Sequence, residues 1–154
     1  MNSSSIRPAA AAHITGGQEA PGINGEVRFY QCRESVLLTV RLYGLPDNGN
    51  GGFFAFHIHE GDSCGGEGFS DAGVHYNPAG TPHPEHAGDL PPLLLCGGGA
   101  CMAVRTDRFS IEEVIGRTVV IHSGADDFRT QPAGNSGQKI ACGKIRRVYY
   151  PDRP

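Results

Sequence analysis

The sequence predicts an all-β domain of about eight strands with two long functional loops. Three observations carry this. Gly and Pro supply 23 and 11 of the 154 residues, against roughly 12 percent of an average chain, and a helical bundle tolerates few such breakers. Short apolar runs rich in Val, Ile, Phe and Tyr recur between clusters of turn residues. The length is that of one domain, about 150 residues being usual. With 13 Lys+Arg against 16 Asp+Glu, the net charge of -3 excludes a basic nucleic-acid binder and a polybasic membrane anchor. No run of about 18 apolar residues is present to span a membrane as a helix. Residues 1–8 read as a flexible N-terminal tail, 9–150 as the domain and 151–154 as a C-terminal tail. The run Ala9 to Ala12 is too short and too weakly apolar for a signal-peptide core. The chain is therefore expected to be cytoplasmic unless a leader has been removed.

The first strand is expected at 9–15, closed by Gly16-Gly17. Residues 25–31 alternate, with Val27, Phe29 and Gln31 facing one way and Glu26, Arg28 and Tyr30 the other. A strand at 35–43 follows the turn Cys32-Arg33-Glu34, so these two form a hairpin. A loop of Gly, Asn and Asp at 47–52 leads to a strand at 53–60. Later strands are expected at 90–95, 101–106, 117–122 and 140–150. Ser110-Ile111-Glu112-Glu113 carries a capping-box pattern, enough for one helical turn. The segments 61–89 and 123–139 show no strand pattern, and connections this long in a compact domain are usually functional. Five Cys are too few for a disulfide scaffold and form no CxxC pair; the odd count leaves at least one free, with Cys32 the candidate. Cys96 and Cys101 flank Gly97-Gly98-Gly99-Ala100 and are either a second disulfide across a hairpin end or two exposed thiols.

Six of the seven His lie between positions 57 and 122. His57 and His59 stand at i and i+2 on a strand, so both imidazoles share one face and Phe56 and Ile58 the other. The apolar pair can face the core while the histidines look outward beneath a covering loop. The segment 61–89 supplies His75, His83, His86 and Asp89, and the strand at 117–122 ends on His122. A lone strand histidine is more often structural than a ligand. Several packed together would repel when charged and demand partners when buried, and a metal ion resolves both problems. Imidazole and carboxylate suit zinc and copper. Seven ligands are too many for one tetrahedral ion. If one imidazole uses both nitrogens, seven residues supply eight donors, enough for a bridged dinuclear centre. His13 lies outside this group and is expected to be non-catalytic.

In order along the chain stand Phe56-His57-Ile58-His59-Glu60, Gly73-Val74-His75-Tyr76-Asn77-Pro78, His86-Ala87-Gly88-Asp89-Leu90, Ile115-Gly116-Arg117-Thr118-Val119-Val120-Ile121-His122, Ala125-Asp126-Asp127 and Gly134-Asn135-Ser136-Gly137-Gln138-Lys139-Ile140-Ala141-Cys142-Gly143. Together, over residues 9–145, they resemble the copper/zinc superoxide dismutase family. The resemblance implies an eight-stranded Greek-key β-barrel or sandwich with two metal-site loops outside it. It implies copper on His57, His59, His75 and His122, and zinc on His75, His83, His86 and Asp89, with His75 as the bridge. It makes Asp126 the carboxylate that links His57 to His83, and Cys64–Cys142 an intramolecular disulfide. The implied reaction is disproportionation of superoxide by copper redox cycling, with His75 carrying a proton and Lys139 guiding the anion.

Lys139 stands where the family normally has Arg, so the charge is kept and the planar fork is lost. A reduced but substantial rate follows. Superoxide is the expected partner, without nucleic acid or membrane; the chain is expected to be a monomer or homodimer and to take copper from a supplying protein. The competing reading on the same fold is a non-catalytic copper-binding or delivery protein. A dinuclear zinc hydrolase would want Asp two positions after His59, where Gly61 stands. A structural zinc domain would leave His57, His59 and His122 unexplained.

Overall fold

Among the described residues eight antiparallel strands form one sheet. In the computed structural model, which describes residues 7–49 and 51–151, the strands are β1 (Ala10–Gly16), β2 (Asn24–Cys32), β3 (Ser35–Tyr43), β4 (Phe53–His59), β5 (Asp89–Leu94), β6 (Gly99–Thr106), β7 (Thr118–His122) and β8 (Lys139–Arg147). Buried and exposed side chains alternate along strands such as β1, β2 and β3, whereas β4 and β7 are buried on both faces. Their order is β5-β4-β7-β8-β1-β2-β3-β6, and the outer strands β5 and β6 approach each other so that the sheet is a nearly closed barrel. The β3–β4 and β6–β7 connections each skip two strands around this ring, which is the Greek key the family resemblance implies. The parts of the expected tails at 1–6 and 152–154 lie outside the described residues. Within the described part, the Tyr150 hydroxyl donates to the Pro8 carbonyl at 3.1 Å.

Val27 and Phe29 are fully buried, as the alternation of β2 requires, and they join Ile14, Leu38, Phe54, Phe56, Ile58, Val119 and Ile121 in the core. The β2–β3 hairpin closes on a two-residue turn, with Cys32 opposite Ser35. Ser110 caps the single turn α1 (Ile111–Val114) through the expected capping box.

Several boundaries differ from expectation for identifiable reasons. β5 begins at Asp89 and crosses Pro91-Pro92; as an end strand it lacks one neighbour and tolerates the missing N–H groups, and one extra residue bulges out between Leu90 and Leu93. β6 starts at Gly99 instead of residue 101, because Gly97 and Gly98, both with positive φ, complete the turn alone. β8 stops at Arg147, three residues short. A 3₁₀ helix at Glu67–Ala72, without sequence signal, lies in the first long loop. It packs over the outer face of β7 and β8, where Ala72, Val120 and Cys142 form a second small cluster with Cys64 and Phe69 beside it. The Cys64–Cys142 disulfide ties this loop to β8, while Cys32, Cys96 and Cys101 are free. Of the two readings of Cys96 and Cys101, the exposed thiols hold.

Candidate metal centre

β4 puts Phe54, Phe56 and Ile58 into the core and turns His57 and His59 to the opposite face, where the two loops bury them completely. Backbone hydrogen bonds then bring the first loop alongside. Glu60 N–H donates to Val74 O at 2.9 Å and Tyr76 N–H to Ile58 O at 2.8 Å, which sets His75 against His59. Ile58 N–H donates to Gly88 O at 2.9 Å, and Asp89 pairs with His57 across the β4–β5 ladder. His122 ends β7. A bulge at Ile140 lets Lys139 pair with His122.

Two groups of four result. Ligand atoms of His57, His59, His75 and His122 lie within 4.8 Å of one another, and so do those of His75, His83, His86 and Asp89. All seven residues are buried, and His75 belongs to both groups. His13 is exposed on β1 and belongs to neither. Asp126 reaches one ring of each group: Oδ2 lies 2.9 Å from His57 Nε2, and Oδ1 lies 2.8 Å from His83 Nε2 and accepts from Phe128 N–H at 2.7 Å. Gly134 passes so close that a Cβ there would stand 2.0 Å from Asp126 Oδ1. Only glycine fits.

The protonation pattern decides what the groups can hold. Burial pushes the His59 imidazole down to about 2 and that of His122 to about 3, and lowers His57 despite its carboxylate partner, so all three are neutral near pH 7. His59 Nδ1 is 2.9 Å from Gly73 O and His122 Nδ1 is 3.3 Å from Gly137 O; a carbonyl only accepts, so both Nδ1 atoms carry the proton. Their Nε2 atoms are then bare lone pairs, yet they face each other at 3.2 Å. Burial opposes ionisation of Asp126, but the hydrogen bonds from His57, the Phe128 N–H and His83 outweigh it and hold its carboxyl at about 2. An ionised Asp126 accepts hydrogen bonds from both Nε2–H groups, which leaves the Nδ1 atoms of His57 and His83 as lone pairs. His83 Nδ1 lies 3.0 Å from Asp89 Oδ2, within reach but without hydrogen-bond geometry. Two acceptors therefore point at a common centre instead of at each other. Burial also opposes ionisation of Asp89, and the His75 hydrogen bond and the neighbouring His83 and His86 reverse this. The Nδ1 of His57 and the Nε2 of His75 are buried without a partner. Such a set of converging lone pairs fits cations of nitrogen and carboxylate preference, copper and zinc among them.

The sequence pattern of copper/zinc superoxide dismutase (SODC) matches residues 23–145. The chain belongs to the copper/zinc superoxide dismutase family. It is 36% identical over 137 residues to superoxide dismutase (Cu-Zn) 2 of Aquifex aeolicus, covering 79% of this chain and 78% of that protein. To superoxide dismutase (Cu-Zn) of Caulobacter vibrioides it is 32% identical over 139 residues, covering 79% and 78%. A solved copper/zinc superoxide dismutase from Brucella abortus superposes with a TM-score of 0.74 at 27% identity, over 88% of this chain and 98% of that one.

Lys139 sits among loop carbonyls, donating from Nζ to Gly73 O at 2.8 Å and Phe69 O at 3.3 Å, and burial lowers its pKa from 10.5. It lines a surface cleft of about 850 Å³ with Phe69 and Gly137. In this superoxide dismutase fold the Gly73 carbonyl thus serves both Lys139 and His59. Neither that carbonyl nor that of Gly137 had a sequence signal, because a backbone oxygen is present at every position.

Proposed function

We propose that His57, His59, His75 and His122 hold copper, that His75, His83, His86 and Asp89 hold zinc, and that His75 is shared between them. The chain is a superoxide dismutase, taking two superoxide anions and two protons to dioxygen and hydrogen peroxide. The one-electron chemistry, oxidising one superoxide and reducing the next, is what bound copper supplies, while zinc has no redox chemistry and is structural. The observation that carries the ligand assignment is the double membership of His75. Its Nδ1 is 2.7 Å from Asp89 Oδ1, on the zinc side, and its Nε2 is buried and partnerless on the other.

Each residue then has a task. Asp126 holds His57 and His83 in the tautomer that turns Nδ1 inward, and the Gly73 and Gly137 carbonyls do the same for the Nε2 atoms of His59 and His122. His75 Nε2 is the atom that takes up and returns a proton during turnover. Lys139 supplies the positive charge that draws superoxide in. The net charge of -3 argues against nucleic acid or an anionic membrane surface as a partner, and superoxide as substrate, with a monomer or homodimer receiving copper from a supplying protein, completes the reading. Superoxide decay followed by pulse radiolysis, with zinc alone and then with zinc and copper, tests it. Copper-dependent decay that His75→Ala abolishes is expected. Stoichiometric copper on the histidines without decay would make the protein a copper-binding relative.

A further inference from the structure

His83 has four hydrogen-bonding atoms, and the second long loop takes three of them. Its Nε2 goes to Asp126 at 2.8 Å. Its backbone N–H donates to Gln131 Oε1 at 2.9 Å, and its backbone carbonyl accepts from Gln131 Nε2 at 2.7 Å. The fourth, Nδ1, is buried and has no hydrogen-bond partner. A peptide N–H can only donate and a peptide carbonyl can only accept, so the amide orientation of Gln131 is fixed by what it binds. The same amide reads both polar groups of one residue, 48 positions away in the chain. This is the pairing a neighbouring strand would provide, made instead by a single side chain.

We infer that Gln131 is a positioning residue of the zinc site, doing for the backbone of His83 what Asp126 does for its ring. The inference rests on the zinc reading of His75, His83, His86 and Asp89. The physical reason is that a ligand nitrogen is placed only when both its ring rotation and its Cα are fixed. Asp126 sets the rotation alone. The first loop around His83 lies outside any strand, so ladder hydrogen bonds do not set the Cα position. Gln131 supplies those bonds from the second loop and thereby ties zinc-ligand geometry to the segment that carries Asp126, Gly137 and Lys139. Gln131→Ala removes both contacts. Gln131→Glu keeps the size and the acceptor for the His83 N–H, but sets a carboxylate oxygen against the His83 carbonyl.

The test uses the full chain loaded with zinc, titrated with a chromophoric chelator, and the same chain with cobalt(II) in place of zinc, whose visible bands report ligand geometry. Loss of such an outer partner typically costs about 10–100-fold in metal affinity. Both variants are expected to hold zinc at least tenfold more weakly than wild type and to show shifted cobalt bands. A residue that only stabilises the loop would leave those bands in place. Wild-type affinity and unshifted bands in both variants would overturn the role of Gln131 alone. Zinc that wild type does not bind, or that His83→Ala binds equally well, would overturn the site assignment and the inference with it. Should Gln131→Ala fail to fold, the isosteric Gln131→Glu carries the measurement.

Discussion

Replacing Lys139 by alanine removes a positive charge that acts on both His59 and His122. Its Nζ is 2.8 Å from the Gly73 carbonyl, which His59 Nδ1 also binds at 2.9 Å, and this places the charge within about 6 Å of the His59 ring. At about 5 Å, two unit charges attract by about 3 kcal/mol at an effective dielectric of about 20 and by about 0.8 kcal/mol in bulk water. A half-buried lysine lies between these limits, and about 1.4 kcal/mol corresponds to a tenfold fall in kcat/KM. Lys139→Ala should therefore lose roughly tenfold in kcat/KM, and the loss should shrink as salt is added. Lys139→Arg should equal or exceed wild type, because its planar fork can hold a loop carbonyl and still face the anion. The pH profile separates charge from shape. Burial lowers the Lys139 pKa, and the protonated form is the attracting one. Wild-type kcat/KM should then decline with rising pH before an ordinary lysine would titrate at 10.5. Arginine stays charged above about pH 12 and should lift that alkaline limb. Pulse radiolysis at low ionic strength from pH 7 to 11 measures all three proteins. An alkaline limb unchanged in Lys139→Arg, or full activity in Lys139→Ala, would refute the guiding role.

Three further outcomes follow from the same geometry. Asp126 is ionised down to about 2 in the folded chain against an ordinary 3.8, so the stability it contributes is complete above about pH 4 and is lost as pH falls toward 2. Acid unfolding of chelator-treated Asp126→Asn should show a flatter limb there. Cys142→Ser opens a loop spanning 78 residues, and the chain-entropy limit of about 4.5 kcal/mol should appear as a lower urea midpoint that reduction of wild type reproduces. Arg108 Nη1 reaches the carbonyls of Pro84 at 3.2 Å, His86 at 3.3 Å and Asp89 at 3.1 Å. Arg108→Ala should cost about 1 kcal/mol in urea unfolding of the metal-loaded protein, with copper binding unchanged.

Strand positions were legible wherever side chains alternate, as in Val27 and Phe29 against Arg28. The pair His57 and His59 was legible for the same reason, and so was the role of the two long segments, because six imidazoles cannot be buried together without a partner. What escaped was what depends on backbone conformation. The 3₁₀ helix at Glu67–Ala72 includes Gly68 and Phe69 at positive φ, a path that hydrophobic periodicity does not encode. The carbonyls of Gly73 and Gly137 orient two imidazoles, yet neither is distinguishable in sequence from any other peptide oxygen. Gln131 and Arg108 are ordinary polar loop residues until the fold brings a backbone segment against them. β6 begins two residues earlier because two glycines suffice for the turn before it.

The polar face of β4 turns away from the barrel core and lies under the two loops, as alternation and the long connections imply, and its burial has an energetic consequence. The Nδ1 of His57, the Nε2 of His75 and the Nδ1 of His83 are buried without partners, at about 1–3 kcal/mol each when nothing occupies their lone pairs. Their sum is comparable with the whole stability of a domain, about 5–15 kcal/mol. The barrel core of Phe29, Leu38, Phe54 and Phe56 lies on the other side of the sheet and does not share this cost. Chelating both metals should therefore open the loops and leave the barrel closed. Hydrogen exchange followed by mass spectrometry is expected to quicken in residues 61–88 and 123–138, while β1, β2, β3 and β6 keep their protection. The Cys64–Cys142 bond should hold residues near 64 back from the full effect. Uniform quickening across barrel and loops would show that the metals stabilise the fold as one unit. No change anywhere would mean that the buried ring nitrogens find other partners, and the ligand assignment would lose its energetic basis.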